Sequence, residues 1–135
     1  MDDSNVKKKI LIVDDDNILL AYAEIILNTE YDVLIATSGK KALEHLDDFI
    51  PDLILLDILM PEMDGFELYS KIRAIDHLQK IPIVFLTAVS ESTKVQQALE
   101  IGAADYITKP YIKENLLCRI KNAIQIYEFS KSRKA

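Results

Sequence analysis

Five charged residues stand at the ends of apolar runs. Asp57 closes the run Leu53-Ile54-Leu55-Leu56. Asp14, Asp15 and Asp16 close Ile10-Leu11-Ile12-Val13, and Lys109, just before Pro110, closes Asp105-Tyr106-Ile107-Thr108. If these runs are neighbouring parallel strands, all these side chains emerge at one edge of one sheet, and three carboxylates and one ammonium crowd a single pocket. Two unit charges about 4 Å apart interact by roughly 4 kcal/mol at an effective dielectric near 20. Several acids with one lysine are therefore poorly balanced alone. The pattern calls for a divalent cation, and an all-oxygen ligand set suits Mg²⁺.

The elements that must position these residues are visible as two alternating patterns. Short β-rich runs near 9–13, 32–36, 53–57, 82–87 and 105–108 predict strands. Between them lie stretches with helical spacing: Leu19, Tyr22, Ala23 and Ile26; Leu43, Leu46 and Ile50; Val95, Ala98, Leu99 and Gly102. The clearest stripe is Leu116, Leu117, Ile120, Ala123, Ile124 and Tyr127. Asp16 opens the first helix, Asp64 with Glu67 forms a capping box, Ser90 caps the fourth helix, and Gly102 stands at a C′ position. Strict β/α alternation with unbroken apolar strands implies an α/β fold with a parallel sheet covered on both faces. Right-handed crossovers leave few topologies, and ligands bind beyond the carboxyl ends of the strands where the winding reverses. The residues at those ends are Asp14, Asp15, Asp57, Thr87 and Lys109.

The chain has 135 residues, enough for one domain with a core of its own. The expected division is an N-terminal extension at 1–7, the domain at 8–129, and a basic tail or start of a linker at 130–135. A formal charge of −6 disfavours nonspecific nucleic-acid binding. The cations Lys7, Lys8 and Lys9, and Lys131, Arg133 and Lys134, read as solvated ends. Met1-Asp2-Asp3-Ser4-Asn5 is no signal peptide, and no apolar stretch reaches the roughly 20 residues that span a bilayer. A cytoplasmic protein without membrane contact is expected. The single cysteine, Cys118, falls among apolar residues and reads as a small buried hydrophobe. His45 and His77 stand away from the acidic edge and read as surface residues.

The ordered set Asp14-Asp15, Asp57, Met60-Pro61, Asp64-Gly65, Thr87-Ala88, Gly102-Ala103, Asp105-Tyr106 and Lys109-Pro110 resembles the receiver domain of two-component response regulators, from about Lys8 to Tyr127. The resemblance implies a doubly wound, flavodoxin-like (β/α)5 fold with strand order 2-1-3-4-5. It implies that Asp57 is the phosphoacceptor. It also implies that Mg²⁺ is held by Asp15, Asp57 and the backbone carbonyl of Leu59, with Asp14 acting mainly through metal-bound water. Lys109 would pair with Asp57 at rest and with a phosphoryl oxygen after transfer. Thr87 and Tyr106 would form a switch, and the Lys109-Pro110 bond would be cis. The implied partners are a histidine kinase or histidine phosphotransfer protein upstream and an output domain or target protein downstream. Such a domain is a switch that catalyses its own phosphorylation and dephosphorylation rather than a turnover enzyme.

Some positions depart from relatives of this kind. Leu59 and Val89 cannot hydrogen-bond a hydrolytic water, so slow loss of phosphate is expected. Arg119 is present, but Ala104 and Asn115 replace acids that complete a salt-bridged dimer in one class of DNA-binding regulators, so that dimer is not expected. Two other functions fit parts of the sequence. An aspartyl-nucleophile phosphatase would use the Asp14-x-Asp16 spacing, but it leaves Asp57, Thr87 and Lys109 without a role. A receiver-like binding module that is never phosphorylated would need none of these charged residues.

Overall fold

A computed structural model describes residues 6–88 and 92–133. Val89, Ser90 and Lys134 lie outside the described residues, and with them the predicted cap of the fourth helix. Five strands, β1 (Lys8–Val13), β2 (Tyr31–Ala36), β3 (Leu53–Asp57), β4 (Ile83–Ala88) and β5 (Asp105–Lys109), alternate with helices α1 (Asn17–Leu27), α2 (Gly39–His45), α3 (Gly65–Arg73), α4 (Ser92–Glu100) and α5 (Lys113–Arg133). All neighbouring strands pair in parallel, in the order β2-β1-β3-β4-β5.

The unbroken apolar strands follow from double coverage, because successive side chains point to opposite faces. Ile10 and Ile12 of β1 pack with Leu20 and Leu27 of α1 and with Leu116 and Ile120 of α5. Leu11 and Val13 of the same strand face the other way, toward Ala42 of α2 and Leu68 and Ile72 of α3. All four β1 residues are fully buried.

Local chemistry sets the helix starts. The Asp16 carboxylate accepts from the Ile18 and Leu19 amides, and the Asp64 carboxylate accepts from the Glu67 amide. Gly102 has φ +105°, the left-handed conformation expected of a residue just past a helix end. The far end of α5 is tied to β1 by an ion pair between Glu128 and Lys8.

Three expectations about helix faces need correction. In α1 the buried stripe is Leu20, Ala23, Ile26 and Leu27, while Leu19 is half-buried and Tyr22 is 43% exposed. Glu24 is the only charged residue of this helix, so apolar periodicity could not choose its face. The α2 helix ends at His45, and Ile50 beyond it is exposed. Cys118 is exposed rather than buried: the α5 stripe through Leu116 and Ile120 turns it outward, and its sulfur accepts from Asn122. His77 lies exposed in a short 3₁₀ turn, Asp76–Leu78, and His45 is half-buried at the end of α2.

Candidate functional site

The register of the sheet explains why distant acids meet. Val13 pairs with Leu56 across β1 and β3, so Asp14 and Asp57 leave adjacent strands at the same level. Asp57 pairs with Leu86, which puts Thr87 one residue further along β4, and Ala88 pairs with Lys109 on β5. One carboxylate oxygen from each of Asp14, Asp15 and Asp57 lies within 4.8 Å of the others. Asp14 is fully buried and Asp57 nearly so, while Asp15 is exposed at the mouth.

The hydrogen bonds within this group are unequal. Asp57 Oδ1 accepts from Lys109 Nζ at 3.0 Å. Asp57 Oδ2 is buried and has no hydrogen-bond partner among the described residues. Asp14 is better satisfied: its Oδ1 accepts from the Asp16 amide at 3.0 Å. Its Oδ2 accepts from Lys109 Nζ at 3.4 Å and from the Tyr111 hydroxyl at 3.3 Å. An orphaned buried carboxylate oxygen is costly, and here it belongs to a group clustered with two further carboxylates. An all-oxygen donor set of this kind fits Mg²⁺, which the Asp57 and Asp15 carboxylates would hold and which would offset their repulsion.

Electrostatics follows from the same geometry. Burial, then the charge of Asp14, pushes the Asp57 carboxyl up to about 7, although Lys109 opposes the shift. Burial alone would lower the Lys109 ammonium, but the hydrogen bond and charge of Asp57, together with Asp14, raise it above its ordinary value. Burial, then Asp14, pushes the Tyr111 hydroxyl far up, so it stays protonated and donates.

The loop after β3 is held against the site by a close backbone approach. The Gly65 amide donates to the Ile58 carbonyl at 2.7 Å, and a β-carbon on Gly65 would lie 2.3 Å from the Asp57 carbonyl oxygen. Within this loop Glu62 has φ +69° while the Met63 amide donates to the Pro61 carbonyl at 2.7 Å, a tight three-residue turn on a non-glycine residue. Leu59, whose carbonyl is a candidate ligand, lies half-exposed in the same loop.

The remaining candidates occupy adjoining positions. Thr87 is buried and its hydroxyl donates to the Ala88 carbonyl at 3.3 Å. Tyr106 is half-buried and pairs with Phe85, two residues before Thr87 in register. The Arg119 guanidinium lies 5.6 Å from the centre of the Tyr106 ring. The same group grips Asp105 with two hydrogen bonds of 2.7 and 2.9 Å, and it donates to Asn115 at 3.0 Å. Arg119 is thus engaged within its own chain. The Lys109-Pro110 peptide is cis. A cavity of about 650 Å³ lined by Arg73, Lys80, Pro82, Tyr127 and Lys131 lies at the opposite end of the sheet and shares nothing with the acids.

Sequence reasoning missed Tyr111. Its signal was weak: an aromatic residue two positions after the lysine, which reads as core. Its ring does pack in the core, parallel to that of Tyr22 at 6.5 Å, but its hydroxyl reaches Asp14.

The geometry agrees with the comparisons to known proteins. The model of the response regulator receiver domain matches residues 10–121. A probable cyclic di-GMP phosphodiesterase of Vibrio cholerae is 41% identical over 116 residues, which cover 86% of this chain and 26% of that protein. The alkaline phosphatase synthesis transcriptional regulatory protein PhoP of Bacillus subtilis is 36% identical over 128 residues, covering 93% of this chain and 52% of PhoP. The chain therefore spans about half or less of the length of these two relatives. A crystal structure of a putative response regulator from Chloroflexus aurantiacus superposes with a TM-score of 0.83 at 33% identity, covering 88% of this chain and 98% of that one. No helix among the described residues is long and apolar enough to cross a membrane. By its fold, its acidic cluster and its relatives, this chain belongs to the response regulator receiver domain family.

Proposed function

We propose that Asp57 accepts a phosphoryl group from a phosphohistidine on a partner kinase or phosphotransfer protein, and that this charge switches the surface around Tyr106. The observation that carries the reading is the contrast between the two oxygens of Asp57, whose carboxylate is grouped with those of Asp14 and Asp15: Oδ1 is held by Lys109 at 3.0 Å, whereas Oδ2 is buried with no donor among the described residues. A carboxylate oriented in this way is an activated nucleophile. Oδ2 forms the new bond to phosphorus. The bond from phosphorus to the imidazole nitrogen breaks, and its electron pair stays on that nitrogen.

Asp15, Asp57 and the Leu59 carbonyl, with Asp14 behind them, would hold Mg²⁺, which would supply positive charge against the phosphoryl oxygens. Lys109 then exchanges Asp57 Oδ1 for a phosphoryl oxygen. The added charge, about −2 near neutral pH, draws the Thr87 hydroxyl, and Tyr106 on the neighbouring strand responds to the space that opens. The domain thereby acts as a self-phosphorylating switch whose partners supply phosphate on one side and read the surface on the other.

An apolar docking face supports the phosphohistidine partner. Ile18, Tyr22 and Ile25 are exposed at i, i+4 and i+7 on α1, directly after the acidic residues, and Ile112 is exposed beyond Lys109. The phosphatase alternative finds less support. Asp16 caps α1, and Asp14 is spoken for by three donors, so neither is poised to attack.

Nuclear magnetic resonance with beryllofluoride and Mg²⁺ tests the reading. The expected result is saturable shifts at Asp57, Thr87, Tyr106 and Lys109 that require both reagents. Shifts confined to Asp15 and the α1 start, with Thr87 and Tyr106 unmoved, would support a module that never carries phosphate.

A further inference from the structure

We infer that Tyr111 is a positioning residue of the cation site, holding Asp14 behind Asp15 and Asp57 and keeping Lys109 shared between two carboxylates. This inference rests on the proposal that the acids bind Mg²⁺. An ionised carboxylate offers about four acceptor positions, and three on Asp14 are already taken, by the Asp16 amide, Lys109 and Tyr111. The Tyr111 hydroxyl and the Lys109 ammonium converge on the same oxygen, Oδ2, at 3.3 and 3.4 Å. Tyr111 is only 4% exposed, and its ring is fixed by the core around Leu20 and Leu116 and by the Tyr22 ring. Packing therefore sets where the hydroxyl points, and the hydroxyl sets the plane of the Asp14 carboxylate.

Without that donor, Asp14 Oδ2 keeps Lys109 alone. A buried carboxylate with one donor fewer is a stronger acceptor, so it draws the ammonium from 3.4 Å toward itself and away from Asp57. Asp14 then turns toward the lysine and no longer backs the cation. Partners that orient a ligand from behind are typically worth 10- to 100-fold in metal affinity.

Titration calorimetry of Mg²⁺ into the metal-free protein and into Tyr111→Phe, which keeps the ring and removes only the hydroxyl, tests this. The expected result is about tenfold weaker binding in the variant. In an Asp14→Asn background the same substitution should leave Mg²⁺ affinity unchanged, because the group it positions is gone. Equal or tighter Mg²⁺ binding by Tyr111→Phe would overturn the inference even if its thermal midpoint fell, since Tyr111 would then serve packing alone. A further tenfold loss in the Asp14→Asn background would overturn it in the same way. Absence of Mg²⁺ binding by the unsubstituted protein would instead overturn the cation site itself, and the role of Tyr111 with it.

Discussion

Lys109 and Asp57 meet at 3.0 Å through one carboxylate oxygen, and the other oxygen of Asp57 is buried without a donor. The pair is thus half satisfied. The lysine restrains the proposed acceptor through one oxygen and leaves the other, the proposed attacking oxygen, without a donor among the described residues. Stability is given up at the place where a phosphoryl group is proposed to arrive.

That imbalance has a definite pH dependence. With Asp57 pushed up to about 7, the folded protein binds a proton that the unfolded chain releases near its ordinary value of 3.8. Between those values the folded state carries more protons, so stability falls as pH rises from about 4 to about 7 and is flat above. The metal-free protein is expected to lose thermal stability from pH 5 to pH 8. Asp57→Asn should lose most of this slope and be more stable at pH 8 by about 1–3 kcal/mol. Thermal unfolding across pH checks this, and a parallel decline in both proteins would contradict it.

Lys109→Ala removes the only cation that Asp14 and Asp57 share among the described residues. Some labelling of Asp57 should survive, because the attacking oxygen is untouched. The surface around Tyr106 should cease to respond to it. Resonances of Tyr106 and α4, recorded with and without beryllofluoride, report the coupling. A full response in the variant would remove Lys109 from the switch.

Arg119 braces Tyr106 from outside at 5.6 Å while gripping Asp105. A cation over an aromatic face at a partly exposed site is worth about 0.5–1 kcal/mol. Arg119→Ala should shift the Tyr106 ring toward its beryllofluoride-bound environment before any ligand is added, with labelling of Asp57 unchanged. An unmoved Tyr106 ring signal would show that the brace carries no weight.

Leu59 is half-exposed in the loop beside Asp57 and cannot hold a water by hydrogen bonds. Leu59→Asn should speed loss of the phosphoryl group, read as the decay of labelled protein after the donor is removed. An unchanged or slower decay would rule out this account of a long-lived phosphate.

The loop that carries Leu59 has little tolerance. Gly65→Ala would force a β-carbon to 2.3 Å from the Asp57 carbonyl oxygen, so a loss of about 2 kcal/mol or more is expected in denaturant unfolding. Glu62→Gly relaxes the positive φ of +69° and should be neutral or stabilising by up to about 1 kcal/mol.

Much of this was legible because chain-local chemistry carried it. The apolar runs ending at Val13, Asp57 and Lys109 are the strands, and Asp16, Asp64 and Gly102 mark helix ends as their side chains or backbone require. Parallel pairing then brings Asp14 and Asp57 together with no further information. What escaped depends on rotation about a helix or on the reach of one atom. The α1 helix is apolar nearly all round, so Leu20 and Leu27 could not be preferred over Leu19 and Tyr22. Cys118 neighbours buried residues in sequence but falls on the outer side of α5. The hydroxyl of Tyr111 and the guanidinium of Arg119 find partners only after the sheet and α5 are assembled.

The most direct test is mass spectrometry of the protein after incubation with acetyl phosphate, with and without Mg²⁺. The account predicts a single phosphoryl adduct that maps to Asp57, requires Mg²⁺ and disappears in Asp57→Asn. An adduct on Asp14 or Asp16, or none at all with Mg²⁺ bound, would contradict it.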